Sequence, residues 1–270
     1  FGEPKDQDSQ YEYWMSASSY LSYGGVMKVV RADDDDLKNA NAGVGIASTT
    51  TLKVKNYDDY LNNYSTATDF YYAAKNPGSW ADNLKICYID DFADQTIGIT
   101  TSDLSAAGAT IGAGITAAIT GVLPGSGSTS VFTGYVKGIV TGVSTAASGT
   151  TSTVDVKIVS RVSSAGEETR IDYAEGDGFS SFDTSDTVYF VNSVGVNTGT
   201  SVAGLTPATA VDWYDQQTLG LTNSTVFWST IAPKPGTSVY ADDRQGHNDL
   251  LHIAVIDDLG DVTGVKGNIL

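Results

Sequence analysis

The chain is poor in the residues that usually carry covalent, metal or acid–base chemistry. It has one cysteine, Cys87, and two histidines, His247 and His252, in 270 residues. One thiol excludes an intramolecular disulfide and a cysteine-based metal site, and its place in the apolar run Leu84-Lys85-Ile86-Cys87-Tyr88-Ile89 makes it a small core residue. The histidines lie five positions apart and flank Asn248 and Asp249, a spacing that chemistry would allow for a metal or acid–base site. No HExxH or GxSxG pattern accompanies them, so His247 reads as a loop hydrogen-bonder and His252 as a polar-face strand residue.

Basic residues are also scarce. Against 15 Lys and Arg stand 32 Asp and Glu, a formal charge of −17, which repels nucleic-acid phosphates and anionic membranes. Direct DNA binding is disfavoured, and a well-hydrated surface explains the acidity better than a cation site. Long runs of large apolar residues are missing too. Residues 104–123 are uncharged, but they consist mainly of Gly, Ala, Ser and Thr, which gain too little in lipid to span a membrane. The first residues are acidic and polar, unlike a signal peptide. Gly112-Ala113-Gly114-Ile115-Thr116-Ala117 fits G-x-G-x-x-A, yet no acid occurs between Asp103 and Asp155 to bind a ribose, so no dinucleotide cofactor is expected. The sequons at Asn63 and Asn223 carry no meaning without export.

What is present reads as α+β, mainly β. Trp14, Ala17 and Leu21 fall at helical spacing, and Gly24-Gly25 stops that segment, so residues 11–23 are expected to be a helix. Residues 26–32 read as a buried strand, making an incomplete helix-strand unit that cannot bury both faces of a sheet alone. The run Asp33 to Asp36 is expected to be a solvated linker, because a calcium loop would need a glycine at its sixth place. A short strand over 52–55, a helical turn over 57–63, a break at Asn76-Pro77-Gly78 and a strand over 84–90 follow. Trp80, beside the rigid Pro-Gly turn, is expected to anchor a sheet edge.

From residue 131 the period becomes two. Residues 135–143 and 154–162 alternate around a Ser/Thr/Gly/Ala loop, and 168–173 and 187–191 add strands, together an antiparallel β insert. Trp213, Phe227 and Trp228 precede a loop, Pro233-Lys234-Pro235-Gly236-Thr237-Ser238, whose two prolines stiffen it. Alternation of Leu251, Ile253 and Val255, an acidic Gly turn and residues 261–265 then read as a hairpin.

Three ordered blocks resemble the contractile tail sheath proteins of long-tailed phages. They are Phe1-Gly2-Glu3-Pro4 with Tyr23-Gly24-Gly25 and Val29-Val30-Arg31-Ala32; the segment AKNPGSWADNLKI over 74–86; and PKPGTS followed by a His-bearing strand, an acidic turn and Gly267-Asn268-Ile269-Leu270. On this resemblance Pro77, Gly78, Trp80, Asn83, Pro233, Pro235, Gly236, Thr237 and Asn268 are structural motif positions, and no catalytic, cofactor or metal residue is implied. The implied organisation is a partial helix-strand unit and linker over 1–45, a body over 46–93 plus 210–270, and a variable β-rich insert over 94–209.

The implied function is that of a structural virion subunit with no enzymatic activity and no cofactor. Such subunits form six-fold rings stacked helically around a tail tube protein, and contract to drive genome delivery; they sit in the virion and assemble in the host cytoplasm. No initiator Met or upstream arm is present and nothing follows Leu270, so the chain reads as an internal piece, expected to be monomeric without linking arms. Two alternatives remain at this level: a β-rich surface adhesin or carbohydrate-binding module, and the sheath of a related bacterial contractile injection device.

Overall fold

The computed structural model describes residues 11–29, 37–42, 52–66, 70–123, 131–191 and 205–270. Of these, 33% are strand and 18% helix, and the sheets are antiparallel, an α+β fold dominated by β. In chain order the elements are α1 (Tyr11–Ser22), β1 (Asn41–Ala42), α2 (Tyr57–Asn63), β2 (Tyr72–Ala73), β3 (Leu84–Ile89), β4 (Gln95–Thr100), α3 (Thr101–Ala107), β5 (Gly114–Gly121) and β6 (Phe132–Ser144). They continue with β7 (Thr151–Ser163), β8 (Glu168–Arg170), β9 (Val188–Val191), β10 (Thr209–Asp212), α4 (Val239–Asp242), β11 (His252–Asp257) and β12 (Asn268–Ile269). They group into two units: one comprises residues 1–87, 221–224 and 254–270, the other 88–220 and 225–253.

The second unit is built on a seven-stranded antiparallel sheet in the order β10-β4-β7-β6-β5-β9, with β8 pairing β7. Two 13-residue strands, β6 and β7, form its centre. Their alternating pattern works as read from the sequence: Val136, Val140, Val154, Val156 and Ile158 point into the core, while Tyr135 and Ile139 remain exposed. One edge of β7 is shared, its first half pairing β4 and its second half β8. The uncharged stretch from Leu104 contains the end of α3, a left-handed Gly108 cap and β5, and its Leu104, Ile115 and Ala117 fill the sheet core. No helix among the described residues is long and apolar enough to cross a membrane.

The first unit carries α1, the β1–β2 pair, α2 and a small sheet in the order β12-β11-β3. Asn39 is its clasp. This side chain, only 2% exposed, donates to the carbonyls of Val54 (3.3 Å) and Ala74 (2.7 Å) and accepts from the Val54 amide (2.7 Å). Both amide hydrogens and one lone pair of the carbonyl oxygen are thereby paired, as burial of an amide demands. α2 starts where Asn56 accepts from the Asp59 amide, an N-cap.

Several expectations are corrected. Residues 26–29 form no strand: Val26 and Val29 are 84% and 63% exposed, because no sheet edge is offered to them; residues 30–32 lie outside the described ones. Residues 52–55 are extended but unpaired as a strand, and Leu52 and Val54 are buried through their bonds to Asn39 instead. Residues 261–265 are a turn, held by the carboxylate of Asp257, and β11 pairs with β12 instead. The Asp33–Asp36 run and the Phe1–Pro4 block lie outside the described residues. The two units are also drawn at other residues than the three expected segments, since β10 pairs β4, placing 209–212 in the large sheet.

Gly134 of β6 faces the Val162 carbonyl of β7. A Cβ there would lie 2.0 Å from the Val162 carbonyl oxygen, so the strands would have to separate. Gly134→Ala is expected to cost about 1–3 kcal/mol by overpacking, measured by denaturant titration; an unchanged midpoint would show that the β6–β7 spacing is not set here.

Candidate functional site

The PKPGTS loop lies in the second unit and is held by hydrogen bonds along its length. Tyr214 Oη donates to the Ala232 carbonyl (2.8 Å), and His252 Nε2 lies 2.8 Å from the Pro233 carbonyl while its ring stacks on Trp228 at 6.4 Å. The Leu250 amide donates to Gly236 O (3.1 Å), the Asn248 amide to Thr237 Oγ1 (3.0 Å), and Ser238 donates to both oxygens of Asp249 at 2.7 and 2.6 Å. Pro235 is buried. These bonds hold a segment whose prolines already remove backbone freedom and a donor, so the loop is rigid by construction.

Lys234 lies at the centre of this loop. Its ammonium reaches Asp91 (2.8 Å) and Asp94 (2.5 Å), and Lys157 of β7 reaches the same two carboxylates, Asp94 at 3.0 Å. The aspartate side chains are 9% and 7% exposed and the lysines 21% and 24%, so two cations and two anions form a neutral, largely desolvated cluster. Asp94 is further fixed: its Oδ2 accepts from the Ile158 amide (2.8 Å), its own amide donates to Val156 O (2.8 Å), and its carbonyl accepts from Trp213 N (3.0 Å). Burial pulls the Lys234 ammonium down, but the hydrogen bonds it donates to Asp91 and Asp94 outweigh this and hold the group above its ordinary value. The cluster borders a cleft of about 480 Å³ that also includes Arg170 and Tyr173.

In the first unit a second set of residues converges. Asp258 accepts from the Thr222 amide (3.0 Å) and hydroxyl (2.5 Å) and pairs with Lys85 (2.9 Å). The Thr222 hydroxyl, then Lys85, then the Thr222 amide hold its carboxyl at about 2, below the ordinary 3.8. Asp257, fully buried, accepts from the amides of Gly260 (3.0 Å), Val262 (2.9 Å) and Thr263 (2.6 Å). Burial pushes its carboxyl up, and these bonds overcome that and hold it below the usual range. Asn83 joins the group through its carbonyl, which accepts from the Asp258 amide (3.3 Å), and its side chain, which donates to Asp261 (2.5 Å).

The motif positions therefore fall into two places. Pro233, Pro235, Gly236 and Thr237 lie in the locked loop of the second unit. Pro77, Gly78, Trp80, Asn83 and Asn268 lie in the first unit. There Pro77 is buried, the Gly78 amide bonds Lys38 O (2.7 Å), and Trp80 is half-buried with its indole N–H on Asn76 O (3.1 Å). Asn268 opposes Asp257 in the β11–β12 register. Cys87 is half-buried, and burial pushes its thiol up. His247 is exposed in its loop. Among the described residues no group of three His, Cys, Asp or Glu side chains could hold a metal ion. Sequence reading missed Asn39, Asp91, Asp94 and Lys157; the only signal was that Asp91 and Asp94 share a short loop with Phe92 and Ala93 directly before an apolar strand.

Two outcomes are expected. Lys234→Met leaves one cation for two buried carboxylates and should destabilise by about 3–5 kcal/mol, the cost of an uncompensated buried charge. Adding Asp91→Asn restores neutrality and should recover part of that loss in denaturant titration; a single-variant cost below about 1 kcal/mol would show the cluster to be solvated. The second concerns acid. Because the folded-state value of Asp258 lies below its unfolded one, its contribution is present above 3.8 and is lost as pH falls through about 2. The melting temperature should fall across that window, and Asp258→Asn should flatten the fall; an unchanged acid slope would assign it to other carboxylates. Compared with known protein families, curated proteins and solved structures, the chain matches none.

Proposed function

We propose that this chain is part of a structural subunit of a contractile phage tail sheath, a component of stacked six-fold rings around a tail tube. One observation carries the reading most: two of the segments that resemble this family, the AKNPGSWADNLKI block and the acidic turn of the last block, are bonded to each other in the first unit. Asn83 of the AKNPGSWADNLKI block bonds Asp258 and Asp261 of the acidic turn, 178 residues away in sequence, and Lys85 pairs with Asp258.

The PKPGTS loop supports the same reading from the second unit. Its residues are consumed in holding the loop, with Lys234 neutralised by two aspartates, which suits a part that transmits force better than one that turns over substrate. On this reading the subunits change their mutual packing as rigid bodies and the work of contraction comes from interface energy. The exposed side chains of the two units would supply those contacts.

Antibodies raised against the 270-residue chain should label contractile-tailed particles along the whole shaft in electron micrographs, at regular axial spacing, in both long and short tails. Label confined to fibres, to the baseplate or to a bacterial cell surface would overturn the assignment and favour the adhesin class.

A further inference from the structure

A groove of about 540 Å³ opens in the first unit between α2 and β2, in the size range of small-ligand sites. Its lining is aromatic. Tyr57 and Tyr60 come from α2, with ring centroids 6.4 Å apart and planes 24° from parallel, and Phe70, Tyr71 and Tyr72 come from β2 and the residues just before it. Tyr57 and Tyr71 are 66% and 68% exposed, so their ring faces are available at its mouth.

The chemistry of the lining selects the ligand. Among the described residues that line the groove there is no carboxylate, and Lys75 is the one charged residue, so a cation drawn to the ring faces meets the repulsion of its ammonium. A purely aliphatic ligand would cover phenol hydroxyls without pairing them, which is costly. Extended peptide is poorly served too. β2 is two residues long, and the amides on either side of it, Tyr71 N and Ala74 N, already bond Ala42 O (2.9 Å) and Ala40 O (2.7 Å). Too little edge is left for strand addition. A sugar ring matches what remains: its C–H faces carry slight positive charge and pack on the electron-rich faces of tyrosine rings, and its hydroxyls pair with phenol groups and the Lys75 ammonium.

We propose that the groove binds an oligosaccharide of neutral sugars, with Tyr57 and Tyr71 as stacking platforms. This site stands apart from the sheath reading: it would serve a virion that touches a glycan-coated cell as well as a stand-alone binding module, and the particle-labelling experiment does not depend on it. The test uses the 270-residue chain with cellohexaose, maltohexaose and hexa-N-acetylchitohexaose as probes, in saturation-transfer NMR and calorimetric titration. At least one probe should receive saturation at its ring protons. Tyr57→Ala and Tyr71→Ala should each weaken that binding by about tenfold or more, roughly the loss of one aromatic contact of about 1.4 kcal/mol. Their melting temperatures should stay at the parent value because both rings are exposed. Tyr57→Phe, which keeps the ring, should retain most of the affinity. Failure of all three sugars at millimolar concentration, binding indifferent to both alanine variants, or tighter binding of a deca-proline peptide in the same groove would each overturn the assignment.

Discussion

The four-charge cluster of Asp91, Asp94, Lys157 and Lys234 is the constraint on which the second unit depends. Removing charges from water costs several kcal/mol per ion, and only close mutual pairing with additional hydrogen bonds offsets this. The pairing is therefore demanding about geometry. Lys157 reaches the carboxylates only if β7 presents that residue on the correct face, and a slip of one residue in the β4–β7 register would turn it to the other side. Lys234 arrives from a loop 140 residues beyond Asp94 in sequence. One neutral cluster thus fixes a strand register, the start of β4 and the position of the PKPGTS loop. An apolar cluster of the same volume could be as stable, but it would tolerate slippage that unpaired charges forbid.

The first unit solves a different problem. Among its described residues few large apolar side chains are buried, Leu52, Val54 and Ile256, whereas the second unit encloses a continuous core of isoleucine, valine, leucine and phenylalanine. With little apolar area to bury, the smaller unit holds its loops by polar side chains bonded to backbone. Asn39 gathers residues 52–54 and 74, Asp257 gathers 260–263, and Asp258 gathers Thr222 and Lys85. Each such bond contributes about 1 kcal/mol net, more for the ionised acceptors. Opening in this unit should therefore precede opening of the sheet in the other, since local stability follows buried apolar contact.

These differences decide what could be read from the sequence. Strands β6 and β7 were legible because a half-buried sheet writes its period into Val136, Val140, Val154 and Val156; α2 was legible from its polar start and turn composition. Val26 and Val29 misled because β-branched residues mark a strand only where an edge exists to receive them, and no propensity encodes that. Residues 261–265 misled for the opposite reason: their Val-Thr-Gly-Val pattern fits a strand, but Asp257 takes the amides of Val262 and Thr263 and leaves no ladder. Lys234 was visible as part of a motif, while Asp91, Asp94 and Lys157 belong to none, since pairing across such sequence separations has no local signature.

The acidity of the chain takes on a different meaning in this light. Asp59, Asp183, Asp249, Asp257 and Asp258 all accept hydrogen bonds from backbone amides or hydroxyls, and all titrate below the ordinary carboxylate value. For Asp59 the leading cause is the Lys55 amide, for Asp183 the Ser185 amide, and for Asp249 the Ser238 hydroxyl. These carboxylates serve as turn locks. A formal charge of −17 is then in part the by-product of a loop-rich fold that fastens its turns with aspartate. Such bonds act over hydrogen-bond distance and are little affected by salt, whereas repulsion between exposed carboxylates fades beyond about 10 Å at 0.1 M salt. Added salt therefore weakens the cost of the acidity and leaves its structural benefit in place.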